Sequence, residues 1–435
     1  MADTLTARQF QDTEGTRDWR VLAHGATAVF RTGSLREGAA LVERIGAIAD
    51  RANHHPDLDL RPRAVAARTV SHDVQGLTSR DVDLARAVSH EARRLGLAAD
   101  PAAAQEIDLT VDALDIGAVL PFWAAVLAYD QVSDDYLTDP HGRWPSIWFQ
   151  QMDAPRPLRN RIHLDTFWPR GLGPVRRSQA LRAGGHVAGE AFAPNWWTLA
   201  DPEGNEVDVN DWEGFPYAPT APLLTPDAFY AAGGVEDWSV TQGASTYVPT
   251  GGLAGGVTLA VAAATLADEA GLPLYADLRY PGTTLRVGPP EDGWITEASL
   301  GLCRRIQTLL RRQNLSAEPL AVRDLHLVID ALDIPAVQRF WAAALGYAER
   351  GEEDLFDPLM RAPALVFQQL DEPRAQRNRI HLDVVVPDDL ARERVDAALA
   401  AGGRLVTDAH APAWWTLADP EGNELDIAVR AAPAS

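Results

Sequence analysis

Four residues near the start of the chain have the types and spacing to move protons. His54 and His55 stand side by side in "RANHHPDL", His72 follows eighteen residues after His54, and Asp81 lies in "TSRDVDLA". A histidine titrates near pH 6.5 and can give or take a proton near neutrality, so this cluster suits general acid–base chemistry. Pro56 biases His55 toward an extended backbone. Successive side chains then point to opposite sides of the chain, so His54 and His55 should have different roles. Asp81 is expected to orient His72 or to raise its pKa by adjacent charge. A second polar group lies on strands. In "RIHLD", period-two alternation sets Arg379, His381 and Asp383 opposite Ile380 and Leu382, and "LHLVID" sets His326, Val328 and Asp330 opposite Leu325, Leu327 and Ile329.

The elements that position these residues recur along the chain. "WWTLADPEGNEVDV" (196–209) returns as "WWTLADPEGNELDI" (414–427), and "RNRIHLD" at 159–165 returns at 377–383, each 218 residues later. A period that long copies whole domains rather than solenoid repeats. Residues near 1–100 and 220–318 carry two alanine-rich helical patterns around a short extended segment. In the first copy these span Arg36–Ala52 and Thr78–Leu95, the latter with Thr78 or Ser79 as N-cap and Asp81 in its first turn. Residues near 104–214 and 322–430 open with an alternating strand, continue with an amphipathic helix such as "IPAVQRFWAAALGY" and end in further strands. The proline-rich stretch 215–226 is the expected hinge between halves. The fold class is therefore α+β, in an A–B–A′–B′ order of four domains.

Composition narrows the function classes. With 46% hydrophobic and 23% charged residues the chain is globular, and no apolar run approaches the roughly 18–20 residues that span a bilayer. The net charge of −22 argues against nucleic acid, since phosphate binding needs clustered Lys and Arg. The single cysteine, Cys303, excludes an intramolecular disulfide and a Cys-based zinc site. No basic and apolar leader opens the chain, so a cytoplasmic location is expected. The absence of lysine and the abundance of alanine suggest a GC-rich bacterial gene. A homo-oligomer stays open, although the duplication could supply a two-fold-like assembly by itself.

"ANHHPDL" followed by "TVSHDVQGLTSRDVDLA" resembles pterin-4a-carbinolamine dehydratase, over most of residues 15–97. The resemblance implies a lyase that removes water from a 4a-hydroxytetrahydropterin or a related hydroxylated ring, with His54, His55, His72 and Asp81 catalytic, Trp19 and Pro56 at the substrate, and no metal. Asp59, Arg61 and Pro62 depart from the family's aromatic-rich strand. In the A′ copy, aligning "AGLP" with "NHHP" puts Gly271 and Leu272 at the histidine positions, Pro273 at Pro56, Pro289 at His72 and Ala298 at Asp81. Such a copy, which keeps Trp238, is expected to be a scaffold.

The B and B′ segments resemble the glyoxalase-like branch of the vicinal oxygen chelate superfamily, over about 105 residues each, through "DALDIPAVQRFWAAALGY", "NRIHLD" and "WWTLADPEGNE". The resemblance implies paired βαβββ modules cupped around a pocket. It sets the metal positions at His326, Gln368, His381 and Asp426 in B′, and at Asp108, Gln150, His163 and Asp208 in B. At most one divalent ion is expected, in B′. One tryptophan of each pair 196–197 and 414–415 should be core and the other pocket wall, with Trp197 and Trp415 taken as the ligand-facing ones. The partner is expected to be a cyclic or aromatic small molecule. Two other functions remain open: a tailoring enzyme working in a glyoxalase-like cup, and a binding or resistance protein without turnover.

Overall fold

The computed structural model describes residues 4–211, 223–288, 295–350 and 354–429. The chain forms two compact units, and each takes a segment from both halves: Met1–Ala104 with Tyr217–Val322, and Gln105–Pro216 with Arg323–Ser435. Mixed helix and sheet fill both.

In the first unit, a strand–strand–helix–strand–strand–helix order occurs twice. It runs Arg20–Leu22, Gly25–Arg31, helix Leu35–Ala52, Asp57–Arg61, Ala64–Thr69, helix Ser79–Arg94. It returns as Ser239–Thr241, Gly243–Pro249, helix Leu253–Ala270, Leu274–Leu278, Gly282–Val287, helix Glu297–Arg312. All eight strands join one antiparallel sheet whose two halves meet where Asp57–Arg61 pairs with Leu274–Leu278. Asp59 stands opposite Asp277 there, again 218 positions apart. The junction is locked by two crossed ion pairs, Arg61 to Asp277 at 2.5 Å and Arg279 to Asp59 at 2.8 Å. Asp59 and Arg61 therefore serve the sheet junction. Above the sheet the two long helices pack so closely that a Cβ on Gly46 would sit 2.9 Å from Val257. Leu253–Ala270 is long and apolar enough to cross a membrane, at mean hydropathy 1.3 over 18 residues, contrary to the expectation that no such run exists. Its Leu253, Leu259, Ala260, Ala263 and Ala264 instead fill the core shared by both segments.

The second unit holds two eight-stranded sheets among the described residues, and neither belongs to one half of the chain. In one, Ile162–Trp168 pairs with Asp324–Ala331; in the other, Ile380–Val385 pairs with Glu106–Ala113. The first βαβββ module of each segment thus joins the second module of the other. A reciprocal clasp fixes this exchange. Arg161 donates to Asn423 Oδ1 at 2.6 Å and Arg379 to Asn205 Oδ1 at 2.8 Å, while each backbone N–H bonds the opposite asparagine, Asn378 or Asn160, at 2.9 Å. Asp201 and Asp419 hold the receiving turns through Asn205 and Asn423. The repeated "RNR" and "DPEGN" motifs are this clasp. Arg379, expected to line a cup with His381 and Asp383, is buried in it.

Of the expected hinge, residues 215–222 lie outside the described residues. Leu223–Leu224 pairs with Ile295–Thr296, and Pro226 opens the helix Pro226–Ala231.

Candidate functional site

The first site begins where the helix Leu35–Ala52 stops. Asn53 takes the left-handed conformation at φ 46°, and the His54 N–H then bonds the Ala49 carbonyl at 3.1 Å. That turn aims His54 inward, where it is buried. Its Nε2 lies 2.8 Å from Asp81 Oδ1 and 3.1 Å from Thr69 Oγ1. Asp81 reaches this point as the third residue of helix Ser79–Arg94, in a capping box with Thr78. Thr69 Oγ donates to one carboxylate oxygen at 2.7 Å; Ser71 Oγ, at 2.7 Å, and the Thr78 N–H, at 2.8 Å, donate to the other. Burial pushes the Asp81 carboxyl up, but the bonds from His54, Ser71, Thr69 and Thr78 outweigh it and hold the pKa down to about 2.

Asp81 therefore serves His54, not His72 as the sequence suggested. His72 is exposed on the turn that Ser71 and Gly76 close with backbone bonds of 3.0 and 3.3 Å. His55 is half-buried, and its Nε2 lies 3.4 Å from Asp50. The two neighbouring histidines do take different partners. Pro56 is buried at the head of the next strand. Trp19, expected at the substrate, is wholly buried and gives its indole N–H to the Ala85 carbonyl and Ser89 Oγ. Thr69 and Ser71 were missed; their two-residue spacing at the end of a strand, on one face, is the signal that could have found them.

The corresponding place in residues 217–322 has a similar backbone and, among the described residues, no histidine–carboxylate pair. Gly271 ends its helix at φ 65°, and the Leu272 N–H bonds the Ala267 carbonyl at 3.0 Å, as His54 bonds Ala49. Leu272 is thus the counterpart of His54, and Pro273 of His55. The helix Glu297–Arg312 starts from Thr296 as Ser79–Arg94 starts from Thr78, which makes Ser299 the counterpart of Asp81. The sequence alignment, which used Gly271, Leu272 and Ala298, slipped by one residue because a proline was matched to a proline across a helix end. Pro289 lies outside the described residues.

The second unit has two cups. His163, Asp165 and Asp208 meet in one, and His381, Asp383 and Asp426 in the other; in each, the ligand-type atoms lie within 4.8 Å of one another. The strand registers add His326, opposite Asp165, to the first and Asp108, opposite Asp383, to the second. The four B′ positions expected to hold a metal therefore do not converge. His326 and Gln368 belong to the first sheet, and His381 and Asp426 to the second, because the modules exchange partners. For the same reason Asp108 and Gln150 do not join His163 and Asp208.

Burial lowers His163 and raises Asp165 and Asp208. In the second cup it moves His381 down to about 4 and Asp426 up to about 6, and takes Asp383 up to about 8 with the Asp426 charge adding to it. His163 Nδ1, Asp165 Oδ1, Asp208 Oδ1, His381 Nδ1 and Asp426 Oδ1 are buried without a hydrogen-bond partner. Imidazole nitrogens and carboxylate oxygens are donor types that fit a divalent cation.

The tryptophan pairs come out in the opposite phase. Trp197 and Trp415 are core residues. Trp196 shares its strand face with Thr198, which stands opposite Asp208, so it is the cup-facing member, and Trp414 does the same beside Thr416 and Asp426. Phe192 stacks on Trp196 at 4.2 Å and His410 on Trp414 at 4.0 Å.

Residues 3–90 match the family described as pterin 4 alpha carbinolamine dehydratase, and residues 108–210 and 326–428 each match the glyoxalase-like domain. A Nocardia farcinica protein provisionally named pterin-4-alpha-carbinolamine dehydratase is 37% identical over 93 residues, which is 95% of that protein and 21% of this chain. A Halobacterium salinarum protein of the same provisional name is 38% identical over 72 residues, 76% of it and 16% of this chain. A solved glyoxalase-related enzyme from Fulvimarina pelagi aligns over 24% of this chain and 84% of its own, at 23% identity and a TM-score of 0.21.

Proposed function

We propose that this chain, which belongs to the pterin-4-alpha-carbinolamine dehydratase family, removes water from a 4a-hydroxytetrahydropterin or a related hydroxylated ring at His54. The observation that carries the reading is the buried His54–Asp81 pair at 2.8 Å, with the half-buried His55 next to it in the chain and the exposed His72 one residue beyond Ser71. Asp81 stays ionised across ordinary pH and accepts the Nε2–H of His54. The other ring nitrogen, Nδ1, is then the acceptor. It takes the proton from the ring nitrogen beside the carbinol carbon, and Asp81 stabilises the imidazolium that forms. His55 or His72 gives a proton to the hydroxyl, the C–O bond breaks, water leaves and a C=N bond forms. The base returns its proton through solvent, so the cycle needs no co-reactant.

Residues 217–322 are, in this reading, a second dehydratase-like copy in an A–B–A′–B′ chain. The same element order, the 218-residue offset of Asp277 from Asp59, and Leu272 and Ser299 in the proton-transfer places support it. Stopped-flow mixing of the whole protein with a 4a-hydroxytetrahydropterin tests the activity. Water loss faster than in buffer is expected, and a rate equal to that of buffer contradicts the reading.

A second reading concerns the cups, and the unpartnered buried ligand atoms favour it. His163, Asp165 and Asp208 would hold a divalent cation in one cup and His381, Asp383 and Asp426 in the other. Such an ion would supply Lewis-acid polarisation of a ligand oxygen. Trp196 or Trp414 would pack against a flat ligand. Elemental analysis of protein purified without chelator is expected to find metal that drops by about half in Asp208→Ala and again in the Asp208→Ala/Asp426→Ala double variant. Metal-free protein after incubation with zinc, manganese or iron would rule this out.

A further inference from the structure

The half of the first unit that lacks the histidines still reaches the site that has them. Leu278 pairs with Leu58 across the sheet junction, and continuing that antiparallel register sets Tyr280 opposite Pro56. The Tyr280 ring lies 6.1 Å from the His55 imidazole, centroid to centroid, at an interplanar angle of 56°. The tyrosine is 66% exposed, the most exposed large apolar side chain among the described residues.

An exposed aromatic is often only a surface residue. Here its backbone is fixed from both sides. Before it, Arg279 donates to the Leu58 carbonyl at 3.1 Å, pairs with Asp59 at 2.8 Å and gives its N–H to the Gly282 carbonyl at 3.0 Å. After it, Pro281 restricts the chain, and Gly282 packs so tightly that a Cβ would lie 2.6 Å from both the Tyr247 ring and the Val248 carbonyl. The tip of this hairpin is tied down on both sides, and its largely exposed ring lies beside His55. The other tip differs. By the 218-residue offset, the counterpart of Tyr280 is Pro62, and Pro62 would serve the place of Pro273, where no histidine stands. The aromatic ring occurs only on the side where there is a site to complete.

We propose that Tyr280 is a substrate-contacting residue of the His54–His55–His72 site, one wall against which the planar ring of the substrate packs. The proposal rests on the dehydratase reading. It gives the second segment a direct part in the first segment's chemistry, since neither segment alone holds the whole site. Edge or face packing of two rings contributes about 0.5–1.5 kcal/mol beyond area burial, close to a tenfold change in binding at its upper end. Because a packing wall takes no part in proton transfer itself, the effect belongs on KM rather than on kcat.

The test uses the full chain. Dehydration of a 4a-hydroxytetrahydropterin is followed by stopped flow, and binding of 7,8-dihydrobiopterin by calorimetry. Tyr280→Ala is expected to raise KM and the dihydropterin Kd by roughly tenfold, with kcat within about threefold and Tm unchanged; Tyr280→Phe is expected to restore both to within about twofold. Wild-type KM and Kd in Tyr280→Ala, in a protein that does turn over, would overturn the role of Tyr280 and leave the dehydratase reading standing. A fall in kcat alone, or no recovery in Tyr280→Phe, would also overturn it. Neither turnover nor dihydropterin binding by the wild type would overturn the dehydratase reading and this proposal with it.

Discussion

His54 and Leu272 follow the same kind of helix end and enter the same kind of strand, yet one meets a carboxylate and the other does not. Both backbones turn through a left-handed residue, Asn53 or Gly271, and both N–H groups bond five residues back. Beyond that turn the first half gathers donors from four residues around Asp81. The second has Ser299, bonded to its own cap Thr296 at 3.0 Å, and Leu272 packed against the core. Losing one member of a buried polar pair strands the other at a cost of about 1–3 kcal/mol, whereas losing both costs little. The two segments can therefore differ in this whole polar set and keep the same element order. They do not differ at the junction, where both contribute an arginine and an aspartate in mirror-related places.

The largest effect should come from breaking that symmetry at its most buried point. Arg61→Ala leaves Asp277 buried without its arginine, and about 3–5 kcal/mol of stability should be lost. Arg279→Ala should cost less, since its partner Asp59 is more exposed. Denaturant unfolding of both variants checks the order, and equal losses would mean that the two crossed pairs are equivalent despite their burial.

A smaller effect separates the two helix starts. Asp81 is held near pKa 2, below the ordinary carboxylate range, so its stabilising contribution is present above about pH 4 and is lost as pH falls toward 2. The shift corresponds to about 2 kcal/mol. Asp81→Asn should lower stability by about that much at pH 7 and flatten the acid limb of the stability curve. The same limb in Ser299→Ala should match wild type. An unchanged acid limb in Asp81→Asn would show that the carboxylate gains nothing from its donors.

The smallest effect belongs to the silent side. Leu272→Ala should cost roughly 1 kcal/mol, as expected for a half-buried leucine, and leave turnover within about twofold. A tenfold loss of turnover would mean that the second half takes part in catalysis through Leu272.

Much of the first site was legible because it is local. Histidine spacing, the proline and the helix start carrying Asp81 all lie within thirty residues, and the turn at Asn53 follows from neighbouring sequence. What Asp81 touches was not legible, since that depends on the depth at which His54 sits behind Thr69. Period-two reasoning placed His381 and Asp383 on one face, as it did His326. It could not say which modules pair, because strand exchange is decided by Arg161, Arg379 and their distant asparagine partners. The phase of the tryptophan pairs failed for a related reason. Alternation gives two faces without naming the wet one, and only the pairing of Thr198 with Asp208 identifies it.

If the proposed dehydration is right, proton transfer to and from the hydroxylated ring occurs at His54 rather than in the cups. The direct measurement is kcat/KM for 4a-hydroxytetrahydropterin dehydration in His54→Ala beside a His163→Ala/His381→Ala variant, with both proteins checked for folding by circular dichroism. A loss of roughly 10²-fold or more is expected in the first, as for removal of a general base, and a value within about twofold of wild type in the second. Wild-type turnover in His54→Ala, with activity abolished in the cup variant, would contradict it.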